Sequence, residues 1–258
     1  MTEVRKHESV SRLASSVALR IADSMARSDD PHYVLAVPSG RSAIPVMSAF
    51  VNEVRERRLD LRRLVLVALD SYVEVTPSGP RNIPIESPQS AHRFLTEHGL
   101  DPLNAVSDCS LRMSAANVLV PDASRPEEME RKLREKGGVH FAILASGASD
   151  GHVGFNGPGS SEHSRTRIVE LGPLTRSDNL VTYPTFGDLE NVPRFGVTLG
   201  IANLAESREA TLVLHGRDKA LAYRRTLARA GYSPDWPSSV VHLVNASAID
   251  VDFEASRG

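Results

Sequence analysis

The chain has 258 residues, 41% hydrophobic and 24% charged, with a formal net charge of −2; that excludes collagen-like and low-complexity classes and argues against non-specific nucleic-acid binding, which draws on a strong basic field. Its single cysteine, Cys109, rules out an intrachain disulfide framework and a thiolate metal cluster. The charged start, Met1 to Ser11, and the lack of any apolar run of about 20 residues argue against a signal peptide and a membrane span, so the cytoplasm is the expected compartment.

Residues 8–28 place Val10, Leu13, Ala14, Val17, Ile21 and Met25 at helical spacing. The run Tyr33 to Val37 reads as a buried strand stopped by Pro38-Ser39-Gly40, and Ala43 to Arg58 as a helix. Leu64 to Leu69 is a second buried strand, ending at Asp70. Four prolines and a glycine in residues 76–88 predict a loop or lid, with a helix around 88–98 after it. Pro126 to Lys136 reads as a charged helix with Pro126 in its first turn. Phe141 to Leu144 is a third strand, closing on the small residues Ala145 to Ser149. Arg194 to Leu199 and Ala210 to Leu214 are two further strands, and Asp218 to Ala230 a helix. Cys109 and Trp236 carry no spacing signal; Cys109 reads as a packing or surface residue and Trp236 as a C-terminal packing residue.

Apolar strands alternating with amphipathic helices predict an α/β fold: one domain over residues 1–258, with a mainly parallel twisted sheet covered by helices on both faces, Rossmann-like in plan. In such sheets ligands bind beyond the carboxyl ends of the strands. Ser39-Gly40-Arg41-Ser42, Asp70 and Asp150-Gly151-His152 all fall there, and are expected to line one pocket.

Each motif has a bland reading as well. The Ser39–Ser42 turn suits an anion, because small residues let the backbone approach and helix N–H groups face it; a plain strand-to-helix turn explains it equally well. Asp70 is either a helix cap or a general base. Asp150 and His152 can form an oriented proton shuttle or simply a hydrogen-bonded loop. A metal is not expected, since no second His or Cys stands at ligand spacing. Ser164-Arg165-Thr166-Arg167 is a phosphate clamp, a solvated face or a subunit contact. Lys219, a cation at a helix start, points to a nearby anion unless it snorkels at the surface.

In chain order these segments resemble the glucosamine-6-phosphate deaminase/isomerase family, which shares its fold with the 6-phosphogluconolactonases. The resemblance runs over residues 10–230. It rests on the Pro38-Ser39-Gly40 turn, Asp70-x-Tyr72, Asp150-Gly151-His152-Val153-Gly154-Phe155-Asn156-x-Pro158-Gly159, Ser164-Arg165-Thr166-Arg167-Ile168, Val192 to Gly200, and Gly216-x-x-Lys219-Ala220. It implies aldose–ketose isomerisation with deamination of an amino-sugar 6-phosphate, of the type that turns glucosamine 6-phosphate into fructose 6-phosphate and ammonia. Asp70 would carry the proton between C2 and C1, Asp150 and His152 would open the ring, and Ser39, Gly40, Arg41, Ser42 and Lys219 would hold the phosphate. Arg167 matches a position that binds a regulatory phosphosugar in allosteric members.

The chain departs from the family at Ser71 and Gly157, where the family has Glu, and at Val169, where it has a regulatory Lys. It also departs at Val181, which aligns with an arginine that reaches the phosphate; Arg176 is the nearest substitute. The departures keep three alternatives open: an isomerase that releases no ammonia, a lactonase-like hydrolase, and a non-catalytic sugar-phosphate binder. The expected partner is a phosphorylated sugar, with no cofactor, nucleic acid or membrane; self-association into a homo-oligomer stays open.

Overall fold

The computed structural model describes residues 2–257. Along the described chain the strands are β1 (Glu3–His7), β2 (Tyr33–Val37), β3 (Leu64–Ala68), β4 (Asp70–Thr76), β5 (Gly79–Asn82), β6 (Val118–Leu119), β7 (Phe141–Ala145), β8 (Arg167–Glu170), β9 (Phe195–Thr198), β10 (Glu209–Leu214) and β11 (Ala246–Asp252). Seven form one sheet in the order β1-β11-β10-β7-β2-β3-β6, with every neighbouring pair parallel. The other four form an antiparallel sheet, β5-β4-β9-β8.

The central strands are continuous apolar runs because both of their faces are covered. Tyr33, Leu35 and Val37 of β2 point to one side and pack with Leu13, Val17 and Ile21 of the helix Val10–Arg27 and with Met47 and Phe50 of the helix Ile44–Arg57. Val34 and Ala36 point to the other side and join Met129, Leu204, Tyr223 and Trp236. The same alternation divides β3 and β7, so one two-residue period feeds two cores. The helix Val10–Arg27 starts where Ser9 Oγ accepts the Arg12 N–H at 3.3 Å, an N-cap that satisfies one of the free donors of the first turn. No helix among the described residues is long and apolar enough to cross a membrane.

The expected loop at residues 76–88 is in part a hairpin. β4 runs on to Thr76, Pro77 and Ser78 make the turn, and β5 returns opposite it. Pro80 is tolerated because β5 is an edge strand, where a missing N–H breaks no ladder bond. The Arg194–Leu199 strand exists as β9 but belongs to the antiparallel sheet, as does the unforeseen β8. β1 escaped notice because its Glu-Val-Arg-Lys-His sequence is an edge with no apolar run. In β11 Asp250 and Asp252 interrupt the apolar pattern; Asp250 is buried against Arg20 and Thr211. The helix expected around 88–98 is Ala91–Leu95, prolonged through a π turn, Thr96–Leu100, into Asp101–Val106.

Trp236 is 2% exposed and donates its Nε1–H to Thr226 Oγ1 at 3.2 Å, and Cys109 is exposed. The indole lies under the loop that follows β7, at the place where Gly151 has φ +71°; a Cβ on Gly151 would come within 2.3 Å of Trp236 Cδ2. Gly151→Ala should therefore combine left-handed strain with a clash in the core. We expect a loss of roughly 2–4 kcal/mol, read as a lower midpoint in thermal denaturation.

Candidate active site

Strands β2, β3 and β6 build towards one edge of the parallel sheet, and β7, β10 and β11 towards the other. The order reverses between β2 and β7, which opens a crevice at their carboxyl ends. A cleft of ≈ 250 Å³ lies there, lined by the Ser39–Ser42 turn, Asp70, His152 and Lys219.

The turn joins β2 to the helix Ile44–Arg57, whose N-terminus has no side-chain cap. Among the described residues Ser39 Oγ is buried without a partner, a donor free for a ligand. Across the cleft Lys219 stands at the start of the helix Ala220–Leu227. It is buried, not snorkelling, and its Nζ donates to Ser146 O at 2.7 Å. Burial pulls its ammonium below the ordinary lysine range, against the opposing pull of the Asp218 carboxylate. Lys219 is thus a fixed, poorly hydrated cation, suited to an anion.

Asp70 caps no helix. The chain leaves β3 at Leu69, whose N–H reaches Val37 O at 3.2 Å, and Asp70 begins β4 opposite Thr198. The side chain is 8% exposed, and among the described residues its carboxylate accepts no hydrogen bond. Burial raises it to about 7, with His152 opposing. A carboxylate tuned near neutrality and open to the cleft is the profile of a general base.

His152 faces the same cleft, and its Nδ1 lies 2.6 Å from Asp150 Oδ1. The pair fits against the backbone because residue 147 is glycine; a Cβ there would sit 2.2 Å from the ring nitrogen and 2.6 Å from Asp150 Oδ1. Asp150 does not line the cleft as expected. It stands behind the ring, where its second oxygen accepts from Thr175 Oγ1 at 2.5 Å. Burial would raise this carboxyl, but the bonds from His152 and Thr175 outweigh it and hold it down to about 2. Asp150 thus stays ionised and orients the imidazole, leaving His152 to meet the ligand.

The remaining expected contacts lie elsewhere. Arg167 donates to Asn156 Oδ1 at 2.9 Å and Ser160 Oγ at 3.3 Å, and borders a separate cavity of ≈ 580 Å³ behind Asp150 and Gly157. Arg176 does not reach the cleft. Its guanidinium is spent on the carbonyls of Val192, at 2.9 Å, and Leu189, at 2.5 Å. Arg165 pairs with Glu206, and Thr166 Oγ1 donates to Glu130 at 2.7 Å, so the basic cluster is mostly absorbed in structure. Asp150, His152 and Asp178 bring potential metal-ligand atoms within 4.8 Å of one another. Both Asp150 oxygens and both Asp178 oxygens are already engaged by His152, Thr175 and Ser149, which suits an internal hydrogen-bond network better than a cation.

Sequence reasoning missed the helix Pro173–Thr182. Asp178, Asn179, Val181 and Thr182 line the cleft, and Thr175 anchors Asp150. The signal was present: Thr175, Asp178, Asn179 and Thr182 recur at spacings of three and four, a polar stripe on one helix face. Tyr72, foreseen only as part of the Asp70-x-Tyr72 motif, and Tyr183, which was missed, bring to the same wall hydroxyls that are buried and without partners among the described residues.

The buried carboxyl of Asp70 has a consequence for stability. Its folded-state value lies above the ordinary 3.8, so the folded state holds a proton that the unfolded state has released between about pH 4 and 7. Stability contributed by Asp70 is therefore present at low pH and lost as pH rises through about 7. Asp70→Asn should be free of that loss. Its stability relative to the parent should increase by roughly 1.4 kcal/mol per pH unit between pH 5 and 7, read by denaturant titration at each pH.

Comparison with known proteins shows the family. A family profile described as glucosamine-6-phosphate isomerases/6-phosphogluconolactonase matches residues 5–249. The chain is 32% identical over 238 residues to a protein named glucosamine-6-phosphate deaminase from Streptomyces avermitilis, covering 92% of this chain and 86% of that one. A second so named, from Bacillus subtilis, is 27% identical over 231 residues, covering 87% and 85%. Among solved structures, a monomeric glucosamine-6-phosphate deaminase superposes with a TM-score of 0.81 at 24% identity, covering 99% of each chain. The 6-phosphogluconolactonase of Thermotoga maritima superposes with a TM-score of 0.65 at 19% identity, covering 98% of this chain and 99% of that one. The chain belongs to the glucosamine-6-phosphate isomerase/6-phosphogluconolactonase family.

Proposed function

We propose that the protein is an enzyme converting glucosamine 6-phosphate and water into fructose 6-phosphate and ammonia. The observation that carries this reading is the pairing, across one cleft, of a partnerless carboxylate tuned to about 7 with a carboxylate-oriented histidine, beside a turn and a buried lysine suited to phosphate. His152 takes the proton from the anomeric hydroxyl and returns one to the ring oxygen, opening the pyranose. Asp70, ionised, removes the proton at C2 while a proton of the substrate ammonium passes to the C1 carbonyl oxygen, giving an enolamine. Asp70 then returns its proton to C1, so the C1=O double bond is replaced by a C1 hydroxyl and a C2=N iminium. Water then adds at C2 and ammonia leaves. Ser39, Gly40, Arg41, Ser42 and Lys219 hold the phosphate and so fix C1 and C2 against Asp70.

One finding weighs against lactone hydrolysis: the curated relatives at 32% identity are named deaminases. The position of Gly157 does not obstruct the proposed reaction. The glycine lies on the far side of Asp150, bordering the rear cavity, and a Cβ there would meet only Thr175 Oγ1, at 3.8 Å. Ring opening then falls to the Thr175–Asp150–His152 chain. A phosphorylated substrate accords with the expected cytoplasmic location.

Incubation with glucosamine 6-phosphate should release ketose and ammonia in equal amounts, assayed separately. Ketose without ammonia would favour the isomerase, and neither product would reject the reading. Asp70→Asn should bind substrate with nearly unchanged affinity and lose essentially all turnover, since the amide keeps the shape but accepts no proton. Thr175→Val should lower kcat roughly ten-fold, the scale of one hydrogen bond to a charged group, and Thr175→Ser should restore most of it.

A further inference from the structure

The phosphate end of the cleft holds a group that an anion site would not be expected to carry. Asp218, immediately before Lys219, also borders the cleft, and its carboxylate is paired with the guanidinium of Arg41 from the opposing turn. We propose that this Arg41–Asp218 pair is a charge gate: an incoming phosphate dianion takes Arg41 away from Asp218 and becomes its new partner. The proposal rests on the phosphosugar reading of the cleft.

Four features of the structure support it. Lys219 is buried and tied to Ser146 O at 2.7 Å, so it meets an anion where it stands and leaves Arg41 as the cation that moves. Arg41 and Asp218 have side chains 42% and 41% exposed, and an ion pair so placed is held weakly and remade easily. Arg41 belongs to the Ser39–Ser42 turn itself, so its guanidinium is tethered beside the amides that would receive the anion. Its planar fork can grip two phosphate oxygens at once, and a dianion attracts it more strongly than the single charge of a carboxylate. Asp218 also keeps a seat after losing Arg41. Gly216, at φ +85°, leaves room for its carboxylate, whose Oδ1 would lie 3.0 Å from a Cβ at that position.

The gate makes binding selective for the phosphate. A neutral sugar cannot displace Asp218 and finds the arginine occupied. The end of the cleft also lies under the helix Pro173–Thr182, because Thr182 Cγ2 approaches Gly40, at 3.5 Å from the position of a Cβ there. Arg41 therefore changes partners beneath the segment that carries Asp178 and Thr175.

The test is calorimetric titration of the full chain and its variants, each carrying Asp70→Asn so that substrate is bound but not consumed, with glucosamine 6-phosphate, glucosamine and inorganic phosphate, while KM and kcat are read with Asp70 intact. Asp218→Asn, which frees the arginine, should tighten glucosamine 6-phosphate and phosphate roughly three- to ten-fold and leave glucosamine unchanged, with KM falling and kcat nearly constant. Arg41→Ala should weaken both phosphate ligands roughly ten-fold or more, and Arg41→Lys should fall between, keeping charge without the fork. Thermal midpoints close to the parent's would verify folding. Parent-like phosphosugar affinity in both Asp218→Asn and Arg41→Ala, with normal turnover, would overturn the gate and leave the proposed reaction standing. A parent protein that binds neither phosphate ligand would overturn both.

Discussion

Parallel pairing of β2, β3, β7 and β10 is the constraint on which the site depends. Parallel strands deliver all their carboxyl ends to one edge, so the segments following them meet there although they are far apart in sequence. Reversal of strand order between β2 and β7 parts the Ser39–Ser42 turn from the Ser146–His152 loop and leaves a space between them. β3 adds a further device. Its chain does not cross over into a helix but turns at Leu69 straight into β4 of the antiparallel sheet. Asp70 is thereby held at the junction of the two sheets, its side chain buried and, among the described residues, accepting no hydrogen bond.

Two carboxylates are driven apart by that framework, and their roles follow. Asp70 has burial acting on it and little to compensate, so its proton is held to about 7. Asp150 is buried as well, yet the donors His152 and Thr175 reverse the effect and hold it at about 2. One is poised to exchange a proton near neutral pH; the other keeps its charge and aims a histidine. Packing supports the arrangement, since Gly147 gives the pair room and Gly151 admits Trp236 beneath the loop.

Much of this was legible in the sequence. Strands buried on both faces are continuous apolar runs, so β2, β3, β7 and β10 stood out, together with the reactive residues at their ends. The antiparallel sheet was not legible. β5 and β8 are only partly buried, and β4 changes from buried to exposed along its length, so neither a run nor a clean alternation marks them. Nor does spacing reveal the bond between Thr175 and Asp150, which joins segments 25 residues apart. Arg167 and Arg176 show another limit. A guanidinium satisfied by Asn156 or by backbone carbonyls has the same sequence signature as one awaiting a phosphate.

The central claim is that Asp70 is a base poised near neutrality by burial. Site-specific 13C NMR titration of its carboxyl carbon, identified by loss of the resonance in Asp70→Asn, tests this without reliance on turnover. The account predicts a midpoint close to 7, well above that of an ordinary aspartate. A midpoint close to 4, with Asp70 ionised through the whole physiological range, would contradict it.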